Sequence, residues 1–149
     1  MTRLRVGQAG LGYWGRNLAR NFDDLGDLRW LCDASEERCT EFAERYPDAR
    51  VTGDFGDLLA ADDVDAVVIA TPVPTHYPLA RAALEAGKHV FVEKPPAMRA
   101  AEMEELIGLA EAAGLVLMPG HLLLYHPAVQ KLKELVDDGE LGDVLVVYG

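Results

Sequence analysis

Only two of the 149 residues are cysteine, and basic residues are in the minority: 14 Lys and Arg stand against 25 Asp and Glu, a formal net charge of −11. Two thiols cannot staple a small disulfide-built scaffold, so the fold must rest on a hydrophobic core. Cys32 and Cys39 fall on a predicted strand and on the helix after it, and read as buried, reduced thiols. With four histidines they show no metal-ligand spacing. The shortage of positive charge excludes a phosphate-neutralising surface for nucleic acid. No basic amphipathic segment suits a membrane surface, and no apolar run approaches the length of a spanning helix. The opening Met-Thr-Arg-Leu-Arg-Val lacks the apolar core of a secretion signal. Repeats and low-complexity tracts are missing too. What is left reads as a soluble, cytoplasmic globular chain, 50% hydrophobic and 26% charged, long enough for one domain with a sizeable core.

Short apolar runs and helical segments alternate along it. Strands are predicted at 4–9, 28–33, 65–70, 89–92 and 115–118, with a weaker one at 50–52. Val67-Val68-Ile69-Ala70 is the clearest, and continuous runs of this kind suit a parallel sheet covered on both faces. Helices are predicted at 13–24, 35–46, 75–86, 99–113 and 127–138, and Asp54-Phe-Gly-Asp-Leu-Leu reads as a short helical turn. Over 99–113 the spacing places Met103, Leu106, Ile107 and Ala110 on one face. Gly87 and Gly114 stand where helices end. Regular βα alternation predicts an α/β fold, a doubly wound parallel sheet of Rossmann type with right-handed crossovers.

Gly10, Gly12 and Gly15 form G-x-G-x-x-G between the first strand and the first helix. Backbone N–H groups without Cβ cover can approach a pyrophosphate there, and the helix N-terminus adds partial positive charge. The plain alternative is a tight turn with no ligand. Tyr13 and Trp14, inside the same turn, count with the glycines on the cofactor side. Asp33 ends the second strand about 20 residues on, where an adenosine ribose would place its hydroxyls. A carboxylate there repels a 2′-phosphate by roughly 4 kcal/mol at about 4 Å, which favours NAD over NADP. Arg38 keeps NADP open, since it can swing toward a phosphate. The other reading of Asp33 is an N-cap for the helix near Ser35.

Three more segments fall at strand ends, where open α/β sheets bind ligands. In Ala70-Thr71-Pro72-Val73-Pro74-Thr75-His76 the prolines disfavour helix. Thr71 and Pro72 are candidates for the path from phosphate to nicotinamide, and His76 either bonds cofactor or substrate or simply begins a helix. In Phe91-Val92-Glu93-Lys94-Pro95-Pro96, Glu93 is a candidate acceptor for the nicotinamide ribose. Lys94 is the candidate catalytic residue, holding the substrate oxygen beside the carbon that gives up hydride; a lysine amine in a partly dry pocket can exchange protons near neutral pH. The alternative for this pair is a surface salt bridge. In Gly120-His121-Leu-Leu-Leu-Tyr125-His126-Pro127, His121 and Tyr125 are the substrate-side candidates and His126 a weaker one, against plain helix capping. No metal site is expected.

Residues 144–148, Val-Leu-Val-Val-Tyr, predict a new strand after the turn at 138–143. No partner in the first sheet is evident, and an unpaired apolar edge is a hazard. The domain boundary is placed at 139. Residues 1–139 are then the dinucleotide-binding domain, and 140–149 the first strand of a second α/β domain that lies beyond the sequence.

These segments together resemble the glucose–fructose oxidoreductase and inositol dehydrogenase (Gfo/Idh/MocA) family, over essentially the whole chain. The likeness rests on Gly10-Leu-Gly-Tyr-Trp-Gly, Ala70-Thr-Pro with His76, Ala86-Gly-Lys-His-Val-Phe-Val-Glu-Lys-Pro and Gly139-Glu-Leu-Gly-Asp. It implies an NAD- or NADP-dependent oxidoreductase acting on a sugar, polyol or nucleotide-linked sugar, with Lys94 at the substrate and nicotinamide. It also implies a cis Lys94–Pro95 bond, and a missing second domain that completes the site and forms a homo-oligomer. Gln8 departs from the apolar residue usual in such strands. The competing readings are a stand-alone NAD-binding module without catalysis, and a flavodoxin-like or CoA-binding domain that leaves Asp33 unexplained.

Overall fold

The computed structural model describes residues 3–146. Strands and helices alternate along them: β1 (Arg5–Ala9), α1 (Gly15–Leu25), β2 (Asp27–Cys32), α2 (Glu36–Arg45), β3 (Arg50–Thr52), α3 (Phe55–Ala60), β4 (Ala66–Ile69), α4 (His76–Glu85), β5 (His89–Val92), α5 (Ala100–Ala113), β6 (Leu117–Pro119) and α6 (Pro127–Asp137). Short 3-10 turns, Val73–Thr75 and Leu122–Tyr125, lead into α4 and toward α6. All strand pairs are parallel, in the order β3-β2-β1-β4-β5-β6. The chain winds outward from β1 to β3, then crosses to β4 on the other side. That reversal opens a crevice at the carboxyl ends of β1 and β4.

Side chains alternate across the sheet and build a core on each face. Val67 and Ile69 of β4 join Leu58, Ala80, Leu84, Val90, Val92 and Leu106 beneath α3, α4 and α5. Val68 turns the other way, to Val6, Leu18, Leu31 and Phe42 under α1 and α2. Every β4 residue is buried, as its unbroken apolar run predicts. Local chemistry sets the helix starts: Ser35 caps α2, accepting from Arg38 N–H at 3.4 Å, and Asp54 caps α3 through Gly56 N–H at 2.7 Å. Gly87 and Gly114 take positive φ where α4 and α5 end.

Several expectations need correction. The α5 face is Leu106 and Ala110, with Leu109 partly buried, while Ile107 is 41% exposed. Cys32 is buried but Cys39 only half-buried. The sixth strand starts at Leu117 rather than 115; Val116 meets β5 through its carbonyl, which accepts from Val90 N–H at 2.8 Å, while its own N–H bonds the His89 ring. Residues 144–146 are exposed and form no strand; the rest of the predicted strand, 147 and 148, lies outside the described residues. Helix α6 buries none of its side chains among the described residues. No described helix is long and apolar enough to cross a membrane.

Candidate functional site

The strand ends form a row held by main-chain bonds. Gly10 N–H donates to Cys32 O at 2.8 Å, Asp33 N–H to Thr52 O at 3.2 Å, Ala70 N–H to Ala9 O at 2.8 Å, Glu93 N–H to Ile69 O at 2.9 Å and Gly120 N–H to Val92 O at 2.8 Å. Each residue stands one step past its strand, so side chains far apart in sequence share one rim.

The three glycines divide into two kinds, and this tests whether a dinucleotide fits. A Cβ on Gly10 would stand 2.5 Å from the Ala70 carbonyl, and one on Gly15 only 2.1 Å from Gly10 O. Both positions are closed by protein. A Cβ on Gly12 would meet no protein atom nearer than Arg38 Nη1 at 4.0 Å. Its face is open to the crevice, and the N–H groups of Gly12, Tyr13 and Trp14 have no acceptor among the described residues. Bare donors at a helix start, over which a side chain is missing, form a cradle for an anionic bridge. The residues present fit a pyrophosphate. Gln8 explains how the turn is held: it is fully buried, and its Nε2 donates to Gly10 O at 2.9 Å and to Gly15 O at 2.8 Å. An apolar residue could not make these bonds.

A crevice of about 650 Å³ runs from this turn. Gly10, Gly12, Asp33, Arg38, Thr71 and Pro72 line it, as the sequence predicts. Ala34, Gly53, Phe55 and Leu79 line it too and are not legible as site residues, since they lack polar side chains or a motif; Thr75, in the 70–76 segment, also lines it, with its hydroxyl bonded to Thr71 Oγ1 and Pro72 O. Cys32 forms part of the wall; burial pushes its thiol up to about 12, so it stays a protonated, weakly polar surface. The Asp33 side chain is 8% exposed. It accepts from Leu11 N–H at 2.7 Å and Ser35 N–H at 2.9 Å, and Arg38 Nη1 lies 3.4 Å from both oxygens. The N-cap of α2 is Ser35, not Asp33. Two backbone bonds aim the carboxylate without using all its lone pairs.

A second chamber, about 420 Å³, adjoins the first through Ala70 and Thr71 and is lined by Trp14, Val73, His76, Glu93, Lys94 and Leu122. The Lys94–Pro95 bond is cis. Lys94 is exposed on the rim and makes no ion pair among the described residues. The surface salt bridge therefore does not form, but the expected dry pocket around the amine is not present either. Glu93 is 8% exposed and its Oε1 accepts from the Trp14 indole at 2.7 Å. His76 is 2% exposed. Its Nδ1 faces Pro95 O at 2.8 Å and its Nε2 faces Thr71 O at 2.7 Å. Both nitrogens face main-chain carbonyls, and a neutral imidazole donates to one of them, so His76 is a strut between two turns as well as part of the chamber lining.

The remaining candidates lie outside both chambers. Tyr13 is 91% exposed and lines neither. His121 and Tyr125 are exposed on the approach to α6 and also line neither. His126 caps α6, accepting from Ala128 N–H at 3.2 Å, which matches its capping alternative.

Comparison with known proteins agrees with this geometry. Residues 4–121 match the GFO_IDH_MocA model, described as an oxidoreductase family with an NAD-binding Rossmann fold. The chain is 37% identical over 134 residues to UDP-N-acetylglucosamine 3-dehydrogenase of Acidithiobacillus ferrooxidans, covering 90% of this chain and 42% of that protein. Among solved structures, GenD2 from gentamicin A biosynthesis, in complex with NAD, superposes with a TM-score of 0.88 at 37% identity, covering 94% of this chain and 40% of that one. KijD10, a 3-ketoreductase from Actinomadura kijaniata in complex with NADP and TDP-benzene, gives 0.84 at 30%, covering 93% and 43%. The chain thus spans about two fifths of the length of these relatives. A family match over 4–121, a doubly wound parallel sheet and a glycine cradle open only at Gly12 converge on one assignment: the chain belongs to the Gfo/Idh/MocA oxidoreductase family and has its NAD-binding Rossmann fold.

Proposed function

We propose that this chain is the cofactor-binding part of an NAD-dependent dehydrogenase acting on a hydroxyl of a sugar, polyol or nucleotide-linked sugar. The observation that carries the reading is a pair of adjoining chambers: Asp33 and the open face of Gly12 line the first, Lys94 lines the second, and Ala70 and Thr71 line both. When bound, NAD supplies a hydride acceptor. Asp33 accepts from the adenosine ribose hydroxyls as the weak Arg38 contacts give way. The Gly12–Trp14 backbone donates to the pyrophosphate, and Thr71 lines the passage between chambers. Lys94 binds the substrate hydroxyl and takes its proton as hydride leaves the carbon. The Asp33 carboxylate favours NAD, since a 2′-phosphate beside it meets roughly 4 kcal/mol of repulsion at about 4 Å. Among the described residues Arg38 is the one cation lining that crevice able to offset this, and a relative bound to NADP makes the pair worth separating.

The nucleotide-sugar dehydrogenase among the relatives supports a nucleotide-linked sugar as the first substrate to try. Relatives more than twice as long support a second domain beginning near residue 140. So does the unburied apolar side of α6, with Leu132 51% exposed. We assign that domain the closure of the second chamber around Lys94 and the homo-oligomer contacts, and we place the protein in the cytoplasm. The exposure of Lys94 favours one other reading, an NAD-binding module without catalysis.

One assay separates them. Full-length protein is incubated with NAD and UDP-N-acetylglucosamine or an inositol, and cofactor reduction is followed by absorbance. Turnover is expected, and Lys94→Ala should lower kcat by about 100-fold or more, the scale of lost acid–base help. Unchanged turnover in that variant removes Lys94 from the chemistry. NAD binding without turnover on any hydroxyl substrate supports the module.

A further inference from the structure

The Glu93 carboxylate is nearly buried, yet no cation pairs with it among the described residues. It is held by donors from two strand ends, and a third strand end lies beside it. The Trp14 indole N–H, 79 positions away in the turn after β1, donates to Oε1 at 2.7 Å. The Lys94 backbone N–H approaches Oε2 at 3.3 Å. Gly120, just past β6, leaves room for the group: a Cβ there would stand 3.0 Å from Oε1 and 3.2 Å from Oε2. Trp14 itself is a poor core residue. It is 41% exposed, caps no backbone group of α1 with its side chain, and leaves the packing of that helix to Leu18 and Ala19. Its tie to Glu93 is the polar contact that fixes its ring.

We propose that Trp14 is a positioning residue for the nicotinamide half of the cofactor. Its indole N–H turns Glu93 so that the weakly used Oε2 is presented to a ribose hydroxyl in the second chamber. The inference rests on the crevice being the NAD site. A glutamate free to rotate must lose side-chain freedom when it binds a sugar hydroxyl; Trp14 removes that freedom beforehand. Phenylalanine at 14 keeps most of the ring but has no donor. The carboxylate then loses a charge-assisted bond in a nearly dry place and turns away.

The test uses this 149-residue chain, calorimetry, and two probes. NAD spans both chambers, whereas AMP reaches only the half near Asp33. Trp14→Phe should weaken NAD by about tenfold, the scale of one hydrogen bond to a charged group, and leave AMP within about twofold. Gly120→Ala, pressing on the same carboxylate from the opposite side, should weaken NAD several-fold with the same selectivity. Trp14→Phe combined with Glu93→Gln should bind NAD no more weakly than Glu93→Gln alone, because the two act as one unit. Unchanged NAD affinity in Trp14→Phe overturns the proposal, and so does equal loss of NAD and AMP. Wild-type chain that binds neither probe overturns the cofactor reading itself, a separate result.

Discussion

At the residue scale, the glycine turn divides binding from stability. A methyl group at Gly12 enters only the space reserved for ligand, whereas one at Gly15 enters the Gly10 carbonyl. Gly12→Ala should therefore melt close to wild type and lose at least about tenfold in NAD affinity, since the backbone can no longer approach the phosphates. Gly15→Ala should cost about 2 kcal/mol or more in folding stability, the range for overpacking a closed site. Urea titration and calorimetry on both variants check this; equal stability loss would mean that Gly12 is structural. The glycines and Asp33 were legible in the sequence because their spacing follows from covalent geometry along one βα unit. The Trp14–Glu93 bond was not, because it joins positions 79 apart that only the sheet order brings together. Gln8 looked like a departure from pattern, and is instead the donor that holds two carbonyls of the turn.

Among elements, the strands were read well where burial on both faces forces an unbroken apolar run, as in β4, and less well where a run is short and half-exposed, as in β6. His76 shows what periodicity cannot report. It begins α4 as expected, yet its ring lies between the turn after β4 and the turn after β5 and donates to a main-chain carbonyl of one of them. His76→Ala should destabilise the chain by about 1–3 kcal/mol, the cost of leaving a buried acceptor unpaired, with AMP affinity unchanged in the folded fraction. Stability equal to wild type in urea would deny it the strut role. A second inter-element tie lies at the far end of the sheet. Arg5 of β1 hydrogen-bonds Asp65, just before β4, through its side chain and its backbone N–H. This holds the Asp65 carboxyl at about 2, below its ordinary 3.8. A depressed folded-state value stabilises the fold above pH 3.8, and the benefit is lost as pH falls toward 2. The Tm advantage of wild type over Asp65→Asn should be full at neutral pH and shrink across that interval. An advantage independent of pH would mean that the ion pair is not its source.

At the scale of the whole molecule, the fold class followed from βα alternation, and the motif glycines Gly10 and Gly12 stand with Asp33 on the crevice; the strand order comes from the structure alone. What stayed illegible was the shape of the second chamber, where Lys94 sits exposed and His121 and Tyr125 stand outside the lining. Those positions lie on the approach to α6, which buries none of its side chains among the described residues, so no core packing fixes them. The isolated chain should bind NAD and turn over no substrate, because water is not excluded around Lys94; dehydrogenase activity from it would show that the chamber is complete without a second domain. The central claim is that one dinucleotide spans the crevice from Asp33 across Gly12 to Lys94. A crystal structure of the chain grown with NAD tests it most directly. The account predicts adenosine ribose hydroxyls on the Asp33 carboxylate in place of Arg38, and phosphates over the Gly12–Trp14 N–H groups. A cofactor seated elsewhere, or an Asp33 still closed by Arg38 with NAD bound, would contradict it.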